Sequence, residues 1–234
     1  MLVAVHQPQY LPWLGYFDKM DQADCFVLLD NVQYKKNEWQ NRNRVKTAAG
    51  PAWLTVPVKY RFPARLDEVG VGEGPWARKH AASLAASYAR AAHWPAVKDF
   101  WEAFYVRDWD GLVELNAATV EWLRGQLGIA TPLHRASELD PAEGPTERLV
   151  DLCRRLGADA YLSGVDGAKY MDMELFDRAG IEVVFQRFEH PEYPQQFGDF
   201  ASHLSALDLV LNCGPESAAV LRSGRRPPAA RSDP

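Results

Sequence analysis

The amino-acid sequence predicts an α/β protein with a parallel sheet and a block of helices inserted between two α/β portions. Two strand–loop–helix–strand patterns, over residues 3–29 and 160–185, are typical of βαβ units. The 234 residues are 47% hydrophobic and 24% charged, which is ordinary globular composition. We therefore expect one large α/β domain in two parts, residues 1–60 and 146–216, with a helical insertion at 76–135 and a disordered tail at 223–234.

The first part begins with a short β-branched run that predicts a buried strand, followed by a turn that two prolines keep from forming a regular helix. A short helix and a second apolar strand complete the unit. A third strand candidate, Trp53–Val58, contains Pro57, which places the strand at an edge or ends it early. The predicted elements are strands over 3–5, 25–29 and 53–58, a helix over 16–23 and a loop over 59–75.

The rest of the chain alternates helices and strands whose ends coincide with Gly or Pro. The alanine-rich segment after Trp76 predicts a helix that ends before Pro95, and Gly128 ends the last helix of the insertion. In the second α/β part, Gly157 and Gly180 each end a helix. The predicted elements are helices over 76–92, 96–105, 112–127, 147–156, 173–179 and 200–211, and strands over 160–163 and 181–185.

Charge and cysteine content exclude several functional classes. The 26 Lys and Arg residues against 31 Asp and Glu residues give a net charge of −5, which excludes a globally basic nucleic-acid binder but allows a local basic patch. Three scattered cysteines indicate a reducing compartment. No apolar run approaches the ~18 residues of a membrane helix and no signal peptide is recognisable, so we expect a cytoplasmic protein without membrane contact. The sequence contains no signature of a metal site.

The turn after the first strand is the first candidate site, with the sequence HQPQYLPWLGY at residues 6–16. Ligands of open parallel sheets bind at the carboxyl edge, and a helix start there offers free N–H groups to a phosphate or carboxylate. His6 at the strand tip is therefore a candidate proton shuttle or phosphate contact. Tyr10, Trp13 and Gly15 are candidate substrate-binding residues, although core packing is the favoured interpretation of the two aromatic side chains.

A basic segment follows the second strand. Residues 35–46 hold five cations with Glu38 as their only acid, interleaved with Asn and Gln. Lys and Arg supply charge to phosphates, and Arg and amides recognise planar groups. A solvated loop is the alternative, but Lys and Glu are the usual residues of such loops. Asp30 is a candidate base or amine-binding carboxylate. The candidate substrate-binding residues of the segment are Gln33, Gln40, Asn41, Arg42, Arg44 and Lys46.

Two later turns could reach the same edge of the sheet. A strand followed by an S-G-x-x-G turn, over 160–167, is similar to a phosphate-approach turn, with a plain helix-entry turn as an equal alternative. Ser163, Gly164 and Tyr170 are its candidate binding residues. His190, after the last strand, could close over a site, although a stiff crossover between Pro191 and Pro194 is the favoured interpretation.

These segments together resemble the WbqC-like family. The resemblance is carried by HQPxYLPWxGY at 6–16, DxVQY at 30–34, QNRNR at 40–44, WLTVP at 53–57, YLSG at 161–164 with Tyr170, and HPxYPQ at 190–195. It covers residues 3–216 with the motifs in the same order. The resemblance implies small-molecule biosynthesis, in bacterial polysaccharide or natural-product pathways, and does not imply a particular reaction.

The order of elements is also similar to that of the HUP superfamily of nucleotidylyltransferases and adenylating ligases. A His-containing turn lies between the first strand and helix, and GADAYLSG at 157–164 precedes a later helix. This resemblance implies a Rossmann-like (HUP-like) three-layer sheet and an ATP- or AMP-type nucleotide as the candidate cofactor. Gln9 stands where the superfamily's H-x-x-H motif has its second His.

The sequence therefore favours a biosynthetic transferase. An activated acyl or aminoacyl group would pass from a phosphate-containing donor, such as an aminoacyl-tRNA or an adenylate, to an amine or hydroxyl of a small metabolite or amino sugar. His6 and Asp30 are the candidate catalytic residues, and the run at 35–46 is the candidate tRNA contact. The alternatives are a nucleotidylyltransferase or adenylating ligase, a His-dependent hydrolase or lyase, and a non-catalytic nucleotide-sugar binding protein. The oligomeric state stays open.

Overall fold

A six-stranded, mostly parallel sheet forms the centre of the protein in a computed structural model that describes residues 1–230. Its strand order is β10-β9-β8-β1-β2-β7, and only β10 is antiparallel to its neighbour. Four further strands form two separate antiparallel pairs, β3-β4 and β5-β6. The strands are β1 Leu2–His6, β2 Cys25–Leu28, β3 Arg42–Thr47, β4 Gly50–Thr55, β5 Val58–Lys59, β6 Gly70–Val71, β7 Leu133–Arg135, β8 Ala160–Ser163, β9 Glu182–Phe188 and β10 Arg225–Ala230.

Helices connect the strands and pack against the sheet, which makes this a mixed α/β protein. Within residues 1–230, short 3₁₀ turns occur at Leu66–Glu68, Val165–Lys169 and Gly214–Glu216. The α-helices are α1 Leu14–Gln22, α2 Trp76–Tyr88, α3 Trp94–Val106, α4 Leu112–Gln126, α5 Ala136–Leu139, α6 Pro145–Arg155, α7 Met173–Ala179, α8 Ala206–Cys213 and α9 Ser217–Ser223.

Successive residues of the buried strands point into two different hydrophobic clusters, as the period of two along a strand requires. Val3 and Val5 of β1 belong to a cluster with α6 and α7, whereas Ala4 between them belongs to a larger cluster with α1 to α4 and α8. The β3-β4 hairpin packs on the larger cluster through Val45 and Leu54. The continuous apolar runs of β1 and β2 reflect burial on both sides.

The helical block and the third strand candidate differ in part from the prediction. Helices occupy 76–88, 94–106 and 112–126, but residues 133–135, assigned to the insertion, form β7 of the central sheet. Residues 53–55 form the end of β4 in a separate hairpin, the strand ends at Thr55 shortly before Pro57, and Val58 begins β5. The three-residue β7 lacks the long apolar run that would have predicted a strand. It forms because it pairs with β2.

The C-terminal segment corrects the expectation of a disordered tail over 223–234. Residues 225–230 form the antiparallel edge strand β10, and residues 231–234 lie outside the described part of the chain. The pairing with β9 shifts register between Arg226 and Ala229, where Pro227 and Pro228 lie. Proline is tolerated at the edge of a sheet because an edge strand does not need all its N–H groups.

An ionic contact with α1 anchors the start of β10. Asp18 is fully buried and accepts hydrogen bonds from Arg225 Nε at 2.8 Å and from Gln186 Nε2 at 2.7 Å. Arg225 also pairs with Asp21, which accepts from Arg222 as well. Asp18 and Arg225 are 207 positions apart, and the composition of the C-terminal segment alone does not reveal their contact. For this reason the sequence predicted a disordered tail.

We predict that Arg225→Ala lowers the free energy of unfolding by about 3–5 kcal/mol, because it leaves the buried Asp18 carboxylate without its cation. Arg226→Ala is the matched control, since Arg226 pairs with the exposed Glu189 and such surface pairs contribute about 0–1 kcal/mol. Urea denaturation followed by circular dichroism measures both variants. Equal losses in the two variants would contradict the anchoring role of Arg225.

Candidate functional site

The order of the parallel strands reverses between β1 and β8. The chain passes from β1 to β2 and then β7 on one side, and returns to β8 and β9 on the other side of β1. Open α/β sheets bind their ligands at this switch point, outside the carboxyl ends of the two strands. The pairing of β1 with β8 ends at Ala4 opposite Leu162, whereas the pairing with β2 continues to His6 opposite Leu28. The two strands therefore stop pairing before their carboxyl ends, and we call this end of the β1-β8 pair the rim opening.

His6 lies at the rim opening, as the last residue of β1. Its Nδ1 is 3.1 Å from the carbonyl oxygen of Gln7, so Nδ1 carries the proton and Nε2 keeps a lone pair. Burial, together with the charge of Lys19, lowers the pKa of His6 from 6.5 to about 3, which keeps the imidazole neutral. The ring also contacts the edge of Tyr16, with the ring centroids 4.8 Å apart.

Lys19 is a residue of this region that the sequence reasoning missed. It lies on α1, is buried, and donates to the carbonyl oxygen of Val5 at 2.9 Å. Because the carbonyl of His6 points to β2, where it accepts from Leu29, the carbonyl of Val5 points to the β8 side. Burial lowers the pKa of Lys19 from 10.5 to about 7. A lysine inside an otherwise apolar helix face was the available signal, because such residues are rarely buried without a partner.

Ser163 and Gly164 lie at the end of β8, next to the end of β1, as the parallel sheet led us to expect. Ser163 is buried and its hydroxyl donates to the carbonyl oxygen of Gly164 at 3.0 Å. A Cβ on Gly167 would lie 1.9 Å from Ser163 Oγ, so the turn that follows packs directly on this serine. Tyr170 ends the turn with its side chain exposed. The structure thus brings His6, Ser163 and Gly164 to one edge.

Asp30 and Tyr10 have structural partners. The two carboxylate oxygens of Asp30 accept from the backbone N–H and the hydroxyl of Ser137, at 2.9 and 2.7 Å, and so attach the start of α5 to the end of β2. The hydroxyl of Tyr10 bonds to Tyr105 at 2.6 Å and to His80 at 3.0 Å within the helical block. This geometry favours core packing for Tyr10 and a structural role for Asp30, instead of the predicted base.

The side chains of the basic segment have two different roles: some are buried and hydrogen-bond to the rest of the protein, and others lie at the surface. Gln40 donates to Gln7 Oε1 at 2.6 Å, and Asn41 donates to the carbonyl oxygen of Val56 at 2.7 Å. Lys46 is also buried, and its amine donates to the backbone carbonyls of Gly198 and Asp199. The structure therefore uses Asn41 and Lys46 to hold the hairpin in place, instead of presenting them to a ligand. Gln40 connects the segment to the residue after His6.

The half-buried side chains of Arg42 and Arg44 lie beside two exposed tryptophans. The guanidinium of Arg42 lies 4.5 Å from the ring centre of Trp53, and that of Arg44 lies 5.7 Å from it. Trp39 lies against Trp53 at 5.4 Å, and both indoles are exposed. We call these four side chains the Trp–Arg surface. Gln33, also predicted as a binding residue, is exposed and bridges to Arg65 through the backbone.

Trp13 and His190 meet in an aromatic cluster instead of at the rim opening. Trp13 stacks on His203 at 5.3 Å, and His203 lies 5.1 Å from His190. Burial lowers the pKa of His190, and its Nε2 is buried without a hydrogen-bond partner. Gly15 permits this arrangement, because a Cβ there would lie 2.2 Å from the ring of Trp13. The cluster joins the first turn to the segment after β9.

A cavity of about 470 Å³ lies elsewhere, between α4 and the β2-β7 side of the sheet. None of the predicted site residues lines it. Three of its charged side chains have partners: Arg135 pairs with Glu114 at 3.3 Å, and Arg107 lies 4.2 Å from the ring centre of Trp109. We therefore do not assign the candidate site to this cavity. Within residues 1–230, no cluster of metal-ligating side chains is present and no helix is long and apolar enough to cross a bilayer.

Comparison with known proteins gives a family and one relative. The model of the WbqC-like protein family matches residues 7–220. A protein of Mycobacterium tuberculosis (strain H37Rv), described as uncharacterized protein Rv1507c, is 36% identical over 228 residues, which cover 96% of this chain and 99% of that protein. No solved structure matches the chain.

We predict that the stability of the protein rises with pH above about 7 because of Lys19. In that range the unfolded chain keeps a proton on Lys19, whose ordinary pKa is 10.5, while the folded protein has lost it. Unfolding then takes up a proton, so its free energy rises by up to about 1.4 kcal/mol per pH unit. Urea denaturation between pH 7 and 9.5 measures this slope.

Lys19→Met should lower that slope, and Lys98→Met, which removes an exposed lysine of α3, should leave it unchanged. The same slope in wild type and in Lys19→Met would show that Lys19 does not titrate in this window.

Proposed function

Since this chain belongs to the WbqC-like protein family, we propose that it is a biosynthetic transferase with its active site at the rim opening. The donor carries a phosphate and an activated acyl or aminoacyl group. The acceptor is an amine or hydroxyl of a small metabolite or an amino sugar. The single observation that carries this proposal is that His6, Ser163 and Gly164 lie together at the switch point, at the ends of adjacent strands.

The proposed reaction needs a proton acceptor and a place for the donor. The acceptor nitrogen or oxygen attacks the acyl carbon of the donor, and the bond from that carbon to the donor oxygen breaks. His6 Nε2, which has a lone pair in this tautomer, takes the proton of the acceptor and returns it to the leaving oxygen. A phosphate in the opening raises the pKa of His6 from its low value, because a nearby negative charge favours the imidazolium.

The strand order supports a Rossmann-like (HUP-like) layering for the proposed site. The five parallel strands run β9-β8-β1-β2-β7, with the reversal at β1, as in doubly wound nucleotide-binding sheets. This order favours nucleotidylyl transfer or adenylation with an ATP- or AMP-type nucleotide as the second candidate reaction. A fold analogy alone does not select between the two reactions.

The Trp–Arg surface supports an aminoacyl-tRNA as the donor. Exposed indoles stack on unpaired bases, and guanidiniums contact phosphates, as in proteins that bind single-stranded nucleic acid. The surface belongs to the segment that Gln40 connects to Gln7, next to His6. We propose that the single-stranded 3′ end of the tRNA lies on this surface, with its acyl group directed to the rim opening.

A non-catalytic nucleotide-sugar binding protein is the alternative that the low pKa of His6 favours, since an imidazole with a pKa of about 3 is a weak base. It needs the same opening but no proton transfer. The two functions differ in one measurable consequence, which is the effect of His6 on turnover.

We predict that His6→Ala lowers transfer at least about 100-fold, the usual contribution of a general base, and leaves donor affinity within about twofold. Purified protein is incubated with a charged tRNA pool or acyl adenylates and with amino-sugar nucleotides, and acylated product is measured by mass spectrometry. Unchanged transfer in His6→Ala would remove the catalytic role. Wild-type protein that binds these ligands and forms no product would favour the binding protein.

We also predict that replacing both Arg42 and Arg44 by alanine weakens tRNA binding at least tenfold and lowers the salt dependence of the affinity by about two units of slope. Fluorescence anisotropy with a labelled tRNA at several salt concentrations measures both effects. Arg154→Ala with Arg155→Ala, on α6 at the other side of the sheet, removes the same charge and is the control. Equal weakening in both double variants would indicate a general charge effect and would contradict a specific surface.

A further inference from the structure

We propose that Lys19 is a phosphate-binding residue, and that its ammonium group receives a phosphate oxygen of the ligand at the rim opening. The proposal rests on the proposed function only for the location of the ligand, since binding of a phosphate requires no turnover. It adds a residue that the sequence motifs do not include and a defined chemical class of ligand. Three observations carry it.

The first observation is that Lys19 differs from the other buried charged residues. The carboxylates of Asp18, Asp30 and Asp208 each accept at least two side-chain or backbone hydrogen bonds. Lys46 donates to two carbonyls. Lys19 has three N–H donors, and in the described part of the chain it has one acceptor, the carbonyl of Val5, and no carboxylate within ion-pair distance. A buried ammonium group without an opposite charge is costly and loses its proton more easily, and a bound anion would offset that cost.

The second observation is the position of the amine. The carbonyl of Val5 would accept from β8 if the ladder continued, but the β1-β8 pairing ends one residue earlier. Lys19 Nζ takes that place, at 2.9 Å from the carbonyl oxygen. The amine therefore lies where the two strands part, at the base of the rim opening, with the ring centre of Tyr161 6.0 Å away.

The third observation is an unpartnered hydroxyl on Tyr16, a residue whose ring contacts His6. Tyr16 is 1% exposed, its ring contacts His6, and its hydroxyl is buried without a hydrogen-bond partner. A buried hydroxyl without a partner costs free energy that a bound polar group recovers. Lys19 and Tyr16 therefore offer donors to an oxyanion next to the neutral ring of His6.

The chemistry favours phosphate over carboxylate. Carboxylates are usually held by the planar fork of an arginine, whereas lysine acts on phosphate as a point charge. The two arginines predicted as binding residues, Arg42 and Arg44, lie on the Trp–Arg surface with their guanidiniums against Trp53. The cation at the opening itself is a lysine.

Isothermal titration calorimetry with inorganic pyrophosphate at constant ionic strength tests the proposal. Wild type should bind saturably, and Lys19→Met should raise the Kd at least tenfold. Lys46→Met is the matched control, because it removes another buried lysine whose amine the backbone already satisfies, and it should change the Kd less than twofold. Lys19→Gln keeps a hydrogen-bond donor for the carbonyl of Val5 but removes the positive charge. It therefore tests the contribution of that charge to binding if the methionine variant does not fold. Sodium acetate in place of pyrophosphate tests a carboxylate.

The outcomes separate this proposal from the proposed function. Equal pyrophosphate affinity in wild type and in the Lys19 variants would overturn the role of Lys19 and leave the transferase proposal standing. No binding to wild type, or binding of acetate alone, would overturn the phosphate assignment, while the transfer assay with His6→Ala judges catalysis independently. Crystals of the wild type grown with tungstate give a readout without any variant: an anomalous peak beside Lys19 Nζ supports the proposal, and a peak only elsewhere overturns it.

Discussion

The parting of β1 and β8 at their carboxyl ends is the constraint on which the candidate site depends. A parallel sheet must cross over between strands, and here the crossovers run in opposite directions from β1. At the point of reversal the pairing of β1 with β8 stops before the carboxyl ends of the two strands. His6 and Ser163 are the last residues of these strands. They lie at the same edge because the two strands are adjacent and parallel, and no contact between the two side chains is needed.

Buried charge is distributed unevenly around this point. Asp18 holds β9 and β10 against α1 through Gln186 and Arg225, and Asp208 accepts from Tyr88 and Tyr193 to join α8 to the helical block. Both carboxylates fix elements that are far apart in sequence, and their partners offset the cost of burial. The amine of Lys19 has no such partner, and this difference separates a residue that holds the fold from one that is available to a ligand.

The basic segment shows how one stretch of sequence serves two purposes. In β3, Asn43 and Val45 point into the core, while Arg42, Arg44 and Lys46 lie on the opposite side of the strand. Asn43 donates to the carbonyl of Leu11 and so fixes the turn after His6. Of the cations on the other side, one is covered by residues 198–199 and two lie against an exposed tryptophan. From composition alone, all three cations were predicted to bind the ligand.

The sequence by itself determined the family, the α/β class and the positions of β1, β2, β8 and most helices, because these follow from local hydrophobic patterns, Gly and Pro, and ordered motifs. It also placed His6 and Ser163 at strand ends. Tertiary structure decided which polar residues hold the fold together, since the hydrogen-bond partners of Asp30 and Lys46 are more than 100 residues away in the sequence. It decided that 225–230 is a strand and that Lys19 lies buried at the opening. The physical reason is that burial and pairing arise only when the chain packs. The topology then determines which residue pairs with a charge, and the residues next to that charge in the sequence do not reveal it.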